Sequence, residues 1–72
     1  MEQNIPLFIS KSELANMYMP TLSPHSAVNK LMSWIELNTE LTAALIATGY
    51  KKTQKQFNRA QIRLIFDYLD EP

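Results

Sequence analysis

One histidine, no cysteine and seven acidic residues are the first candidates for acid–base and metal-ligating chemistry in this 72-residue chain. His25 stands one residue past Pro24, in what reads as the first turn of a helix. A lone histidine without cysteine offers no nucleophile–base set of recognisable spacing. The lack of cysteine also excludes a disulfide scaffold and a Cys-ligated zinc or iron–sulfur site, and one histidine cannot build a His-rich cage. Glu36, Glu40, Asp67 and Asp70 are suited to acid–base pairing, but no spacing fixes them together. A single glycine, Gly49, leaves no Gly-rich loop to cradle phosphate. The expectation is a protein that is not an enzyme, with no cofactor, no metal and no small-molecule substrate.

The cations are more informative. Seven Lys and Arg cancel seven Asp and Glu, which at first argues against a nucleic-acid partner. Their placement reverses that argument. Residues 1–40 carry Lys11 and Lys30 against Glu2, Glu13, Glu36 and Glu40, and the last six residues add Asp67, Asp70 and Glu71. Between them, Lys51, Lys52, Lys55, Arg59 and Arg63 stand with no acid among them. Phosphate responds to local potential, so this basic segment is a candidate for the nucleic-acid backbone; the plain alternative is a solvated face.

The elements that must position these residues are legible from caps and periodicity. Phe8 and Ile9 suit a short extended segment after Pro6. Ser10 and Glu13 have capping-box spacing, predicting a helix over Lys11–Tyr18 with Leu14, Ala15 and Tyr18 inward. Pro20 ends it. Ser23 and Pro24 then open a helix to Leu37, with Ala27 or Val28, Leu31, Trp34 and Ile35 on its inner side. Asn38 or Thr39 caps a third helix through Leu41, Ala44 and Leu45, and Gly49 supplies its stop. Tyr50 to Phe57 reads as a plain loop or a short hairpin. Asn58 with Gln61 forms a second capping box, starting a helix over Arg59–Leu69 that buries Ile62, Ile65, Phe66 and Leu69. The length admits one small core, so the fold class expected is mainly α: a single domain of about four helices with at most a short β hairpin, its strands near Leu7–Ile9 and Tyr50–Phe57.

Helix, short interruption, helix is the arrangement of a helix-turn-helix. Ala15 is small enough for close approach, and Val28 and Leu31 would lock the crossing. The outer side of the second helix then shows His25, Ser26, Asn29, Lys30 and Ser33. Asn29 and Lys30 suit base-edge hydrogen bonds, and Ser26 and Ser33 suit phosphate. The element order resembles winged helix-turn-helix domains of the mercury-resistance-regulator and excisionase type. That resemblance implies that Lys51, Lys52 and Lys55 belong to a basic wing. A closer resemblance runs through Phe8-Ile9, Lys11 to Ala15, Tyr18, Pro20, Pro24, Ala27, Leu31, Trp34-Ile35, Asn38 and Leu41. It continues through Gly49-Tyr50, Phe57, Gln61-Ile62, Ile65, Tyr68-Leu69 and Glu71-Pro72. Together these resemble a family of short Bacteroidales proteins, domain of unknown function 4248. The family pattern implies glycine where this chain has Asp70, and Thr or Ser where it has Asn58; the first puts the end of the last helix in question.

The functional expectation is a non-catalytic DNA-binding protein, a small regulator or accessory factor. Its contacts are Ser26, Asn29, Lys30, Ser33, Lys51, Lys52, Lys55, Arg59 and Arg63, with the Pro24–Leu37 helix in the major groove. The alternative is a helical protein-interaction module or homodimer without nucleic acid, using Met17, Met19, Met32, Trp34 and Tyr50 where these are exposed. No apolar run approaches the ~18 residues of a membrane span and no basic stretch precedes an apolar one at the N-terminus, so a cytoplasmic protein with no membrane partner is expected.

Overall fold

Each helix begins where a short polar side chain can take an otherwise unpaired backbone N–H, and the computed structural model, which describes residues 5–72, follows those signals closely. A strand β1 (Phe8–Ser10) runs directly into helix α1 (Lys11–Tyr18), where Ser10 Oγ accepts from the Glu13 N–H at 3.0 Å. Only the serine half of the expected box is needed here, and Glu13 stays exposed to water. Ser23 caps α2 (Pro24–Leu37) in the same way, accepting from the Ser26 N–H at 3.3 Å, with Pro24 in the first turn. Asn38 serves two helices at once. Its N–H bonds back to Trp34 and Ile35, while its Oδ1 accepts from Leu41 N–H at 3.0 Å to start α3 (Thr39–Ala47).

Gly49 ends that helix region at φ +92°, a conformation that glycine adopts without a steric penalty, and a Cβ there would meet nothing within 4 Å. Its role is therefore conformational. The chain then takes the loop form over 50–55, and strand β2 (Gln56–Asn58) pairs antiparallel with β1 across the fold. Phe8 faces Asn58, Ile9 faces Phe57 and Ser10 faces Gln56. A hairpin closed within 50–57 does not form; Phe57 goes to Ile9 because both side chains are buried there. Asn58 finally starts α4 (Arg59–Leu69), where the capping box closes in both directions: Gln61 N–H to Asn58 Oδ1 at 2.9 Å, Asn58 N–H to Gln61 Oε1 at 3.0 Å.

One core draws on all six elements: Ile9, Leu14, Ala15, Ala27, Leu31, Ile35, Leu41, Leu45, Phe57, Ile62 and Ile65. Burying each large aliphatic or aromatic side chain contributes about 1.5–3 kcal/mol. Of the two candidates at the start of α2, Ala27 is the buried one and Val28 lies at the edge. Ala15 and Ala27, both fully buried, let α1 and α2 make the most extensive helix–helix contact in the molecule. Phe66, Leu69 and Trp34 are half-buried around this core, not inside it.

Tyr18 closes the far end of the α1–α2 pair. Its ring meets Trp34 edge-on, centroids 6.1 Å apart, and its hydroxyl donates to the Asp70 carbonyl. Burial, then the nearby Asp70 and Glu71 carboxylates, push its phenol up to about 12. A folded-state value above the unfolded value of about 10 means this contribution is complete below that pH and is lost as pH rises towards 12. Denaturant unfolding across that window should show falling stability, and Tyr18→Phe should reduce the fall. An equal fall in the variant would mean that Tyr18 is not its source. Burial raises Tyr50 as well, so part of the fall remains in the variant.

Among the described residues, no helix is long and apolar enough to cross a membrane, and no group of His, Cys, Asp and Glu is arranged to hold a metal ion.

Candidate nucleic-acid interface

The outward face of α2 presents Ser26, Asn29, Lys30 and Ser33, all exposed, because the inward positions are taken by Ala27, Leu31 and Ile35 at helical spacing. Ser26 Oγ accepts from Ser23 Oγ at 3.1 Å, and Asn29 Nδ2 lies 3.2 Å from His25 Nε2, one turn earlier. Beside this face lies the 50–55 loop. Tyr50 and Phe57 bracket it with stacked rings, 5.6 Å between centroids and 20° between planes. A backbone bond from Gln54 N–H to the Lys51 carbonyl at 2.9 Å tightens its turn.

Lys11 ties that loop to α1. Its ammonium donates to the Lys52 carbonyl at 2.9 Å and stands 5.1 Å from the Tyr50 ring centre and 5.8 Å from that of Phe57. Both rings present their negative faces to the cation. Burial, then the Lys52 ammonium, lower the Lys11 pKa. Lys52 turns to α2 and pairs with Glu36 at 3.0 Å. Both side chains are largely exposed, so the pair orients the loop more than it stabilises the fold.

These contacts make a depression of about 380 Å³ in which Asn29, Ser33 and Glu36 of α2 face Lys52 and Lys11. Three of the nine residues expected at the site, Asn29, Ser33 and Lys52, thus line one surface. Ser26 and Lys30 continue the same helix, and Lys51 adjoins Lys52 in the loop. The rest are spread out. Lys55 lies at the end of the β ladder that meets α1, its carbonyl accepting from Lys11 N–H at 3.0 Å. Arg59 lies at the other end, where Nε donates to the Ile5 carbonyl at 3.1 Å, and Arg63 follows one turn along α4. The basic segment is continuous in sequence and divided in space.

Two residues of the depression were missed by sequence reasoning. Lys11 reads as the first residue of a helix, and its partner is 41 residues away. Glu36 reads in the sequence as a carboxylate suited to acid–base pairing and as part of the acidic balance of residues 1–40, although its spacing of seven from Asn29 and three from Ser33 places it on their face. A carboxylate there repels phosphate and takes up one loop cation.

A second depression of about 380 Å³ shares the Glu36–Lys52 rim and is lined by Met32, Ile35, Thr42, Ile46 and Tyr50, with Ile46 60% exposed. Of the methionines, Met17 is exposed, whereas Met19 and Met32 pack against the core. Leu37, Leu7 and Phe8 are exposed as well.

Fold and site together define a small, mainly α domain: among the described residues, four helices around one core, a two-stranded ribbon, and a polar cleft between a helix face and a loop of lysines. The chain belongs to the family described as a domain of unknown function, DUF4248, whose model matches residues 7–72. That span takes in the Trp34-Ile35, Gly49-Tyr50 and Glu71-Pro72 pairs on which the resemblance rests. No curated protein and no solved structure matches the chain.

Proposed function

We propose that this protein is a non-catalytic DNA-binding protein of the winged helix-turn-helix kind, acting in the cytoplasm as a small regulator or accessory factor. What supports this most is the placement of the 50–55 loop against the outer face of α2, so that Lys52 shares a cleft with Asn29 and Ser33. In this reading α2 enters the major groove with Asn29 and Lys30 at base edges, and Ser26 and Ser33 bond to phosphate. Lys51, Lys52 and Lys55 meet the backbone beside it. Arg59 and Arg63, carried on α4, take phosphates only where the duplex reaches round the β ladder. A net charge of zero implies weak non-specific affinity and reliance on a second copy or a partner.

The test is duplex DNA titrated at two salt concentrations with wild type and with Lys51, Lys52 and Lys55 all changed to Ala. Wild-type affinity should fall steeply with salt, and the triple variant should flatten the log–log slope by up to about 0.9 per lysine. No binding at low salt, or binding indifferent to the three lysines, defeats the proposal. The exposed Ile46 beside the apolar depression favours a second reading, a protein-interaction module or homodimer. Sedimentation of the same samples separates the two: a salt-insensitive dimer that ignores DNA supports the second.

A further inference from the structure

His25 is an ionisable group on the outer face of α2 to which the reading above gives no task. It is exposed, stands one helical turn before Asn29, and its Nε2 lies 3.2 Å from the Asn29 amide nitrogen. An amide nitrogen only donates, so Nε2 is the acceptor. That requires the neutral imidazole with its proton on Nδ1. The amide nitrogen of Asn29 carries two hydrogens. One goes to His25, and the other, alongside Oδ1, forms a paired donor and acceptor. Adenine offers the matching pair in the major groove, an acceptor at N7 and a donor at N6. Without a partner, an exposed asparagine amide turns freely between orientations that offer this edge and orientations that hide it.

We infer that His25 is a positioning residue that holds the Asn29 amide with its donor–acceptor edge outward, so that α2 selects adenine at the position Asn29 reaches. The inference rests on the DNA-binding reading and names what that surface selects. The contact spans residues i and i+4 of one helix, so it is set before any DNA arrives. Ordering the amide in advance removes part of the side-chain entropy that binding would otherwise cost.

The full chain is incubated with a duplex library carrying a randomised core, as wild type, Asn29→Ala, His25→Ala and His25→Gln. Wild type should favour adenine at one position by about 5- to 150-fold over other bases, and Asn29→Ala should lose that preference. His25→Ala should weaken it about threefold to tenfold with the salt slope unchanged, since no phosphate contact is removed. His25→Gln should restore most of it, because its Oε1 accepts from Asn29 across the same turn. In the free protein, the Asn29 side-chain amide resonances should move in His25→Ala and return in His25→Gln. Salt-dependent binding whose adenine preference survives His25→Ala, or is absent from wild type, overturns this inference and leaves the DNA-binding reading standing. Failure to bind any duplex at low salt overturns both.

Discussion

Changing Gln61 to Ala is expected to lower the unfolding free energy by about 2–4 kcal/mol, measured by chemical denaturation. Among the described residues Gln61 is the one polar side chain in the core, 1% exposed, and it meets every bonding demand placed on it. Its Oε1 accepts from the Asn58 N–H at 3.0 Å and from Gln54 Nε2 at 2.8 Å. Its Nε2 donates to Thr48 Oγ1 at 3.0 Å, and that hydroxyl donates onward to the Leu45 carbonyl at 2.6 Å. Alanine would strand the cap N–H of α4, release Gln54 and leave a cavity, so desolvation and packing losses add. Thr48→Ala removes one end of the chain of bonds and should cost about 1 kcal/mol. A domain of this size has only roughly 4–11 kcal/mol in all, so the Gln61 loss would be a large fraction of it. A loss no greater than that of Thr48→Ala would show that the network contributes no more than its outermost bond.

The network bears on the cleft as well as on stability. Gln54 is in the loop that carries Lys51, Lys52 and Lys55, and its amide also reaches the Gln56 carbonyl. Gln61 thus anchors the base of the loop to the start of α4, while Lys11 and the Tyr50–Phe57 stack hold its upper part. A loop with few apolar contacts of its own is kept in register by these bonds.

Local signals made the helices legible. Ser10, Ser23, Asn38 and Asn58 each supply a cap oxygen within three residues of the N–H it takes, so the starts of the four described helices follow from short-range spacing. Gly49 and Pro24 act equally locally. The β ladder was harder to read, because three-residue strands carry almost no alternation and their pairing joins Ile9 to Phe57 across most of the chain. Gln61 shows the same division within one residue. Its capping role is written in the Asn58–Gln61 spacing, but its bonds to Gln54 and Thr48 depend on how the loop folds back. The cleft follows this rule too: Asn29 and Ser33 come from helical periodicity, whereas Lys11 and the Glu36–Lys52 pair come from tertiary contacts that no spacing announces.

Asp70→Gly should stabilise the protein by about 1–2 kcal/mol. Asp70 follows α4 at φ 68°, ψ 171°, a region that residues with a Cβ occupy at a cost of about 1–3 kcal/mol and that glycine occupies freely. Part of the gain is offset because glycine has more freedom to lose on folding. The sequence resemblance implies glycine at this position, and a positive φ of 68° is a backbone angle that glycine fits. Charge must be separated from strain, since a carboxylate at a helix C-terminus is itself unfavourable by about 0.3–1 kcal/mol. Asp70→Ala removes the charge and keeps the Cβ, so the difference between the Gly and Ala variants isolates the backbone. The Gly variant should exceed the Ala variant by about 1 kcal/mol, seen as a rise of roughly 4–8 °C in Tm between them. Equal values would mean that the chain relaxes this turn at no cost. Because Tyr18 bonds the backbone carbonyl of residue 70, that contact survives either change. The Tyr18 phenol should then move down from about 12 by the Asp70 share alone and stay above its ordinary value, because burial is the larger cause. A strained turn is therefore held in place by a hydroxyl that needs only the peptide, and the side chain at position 70 is free to change to the residue the geometry prefers.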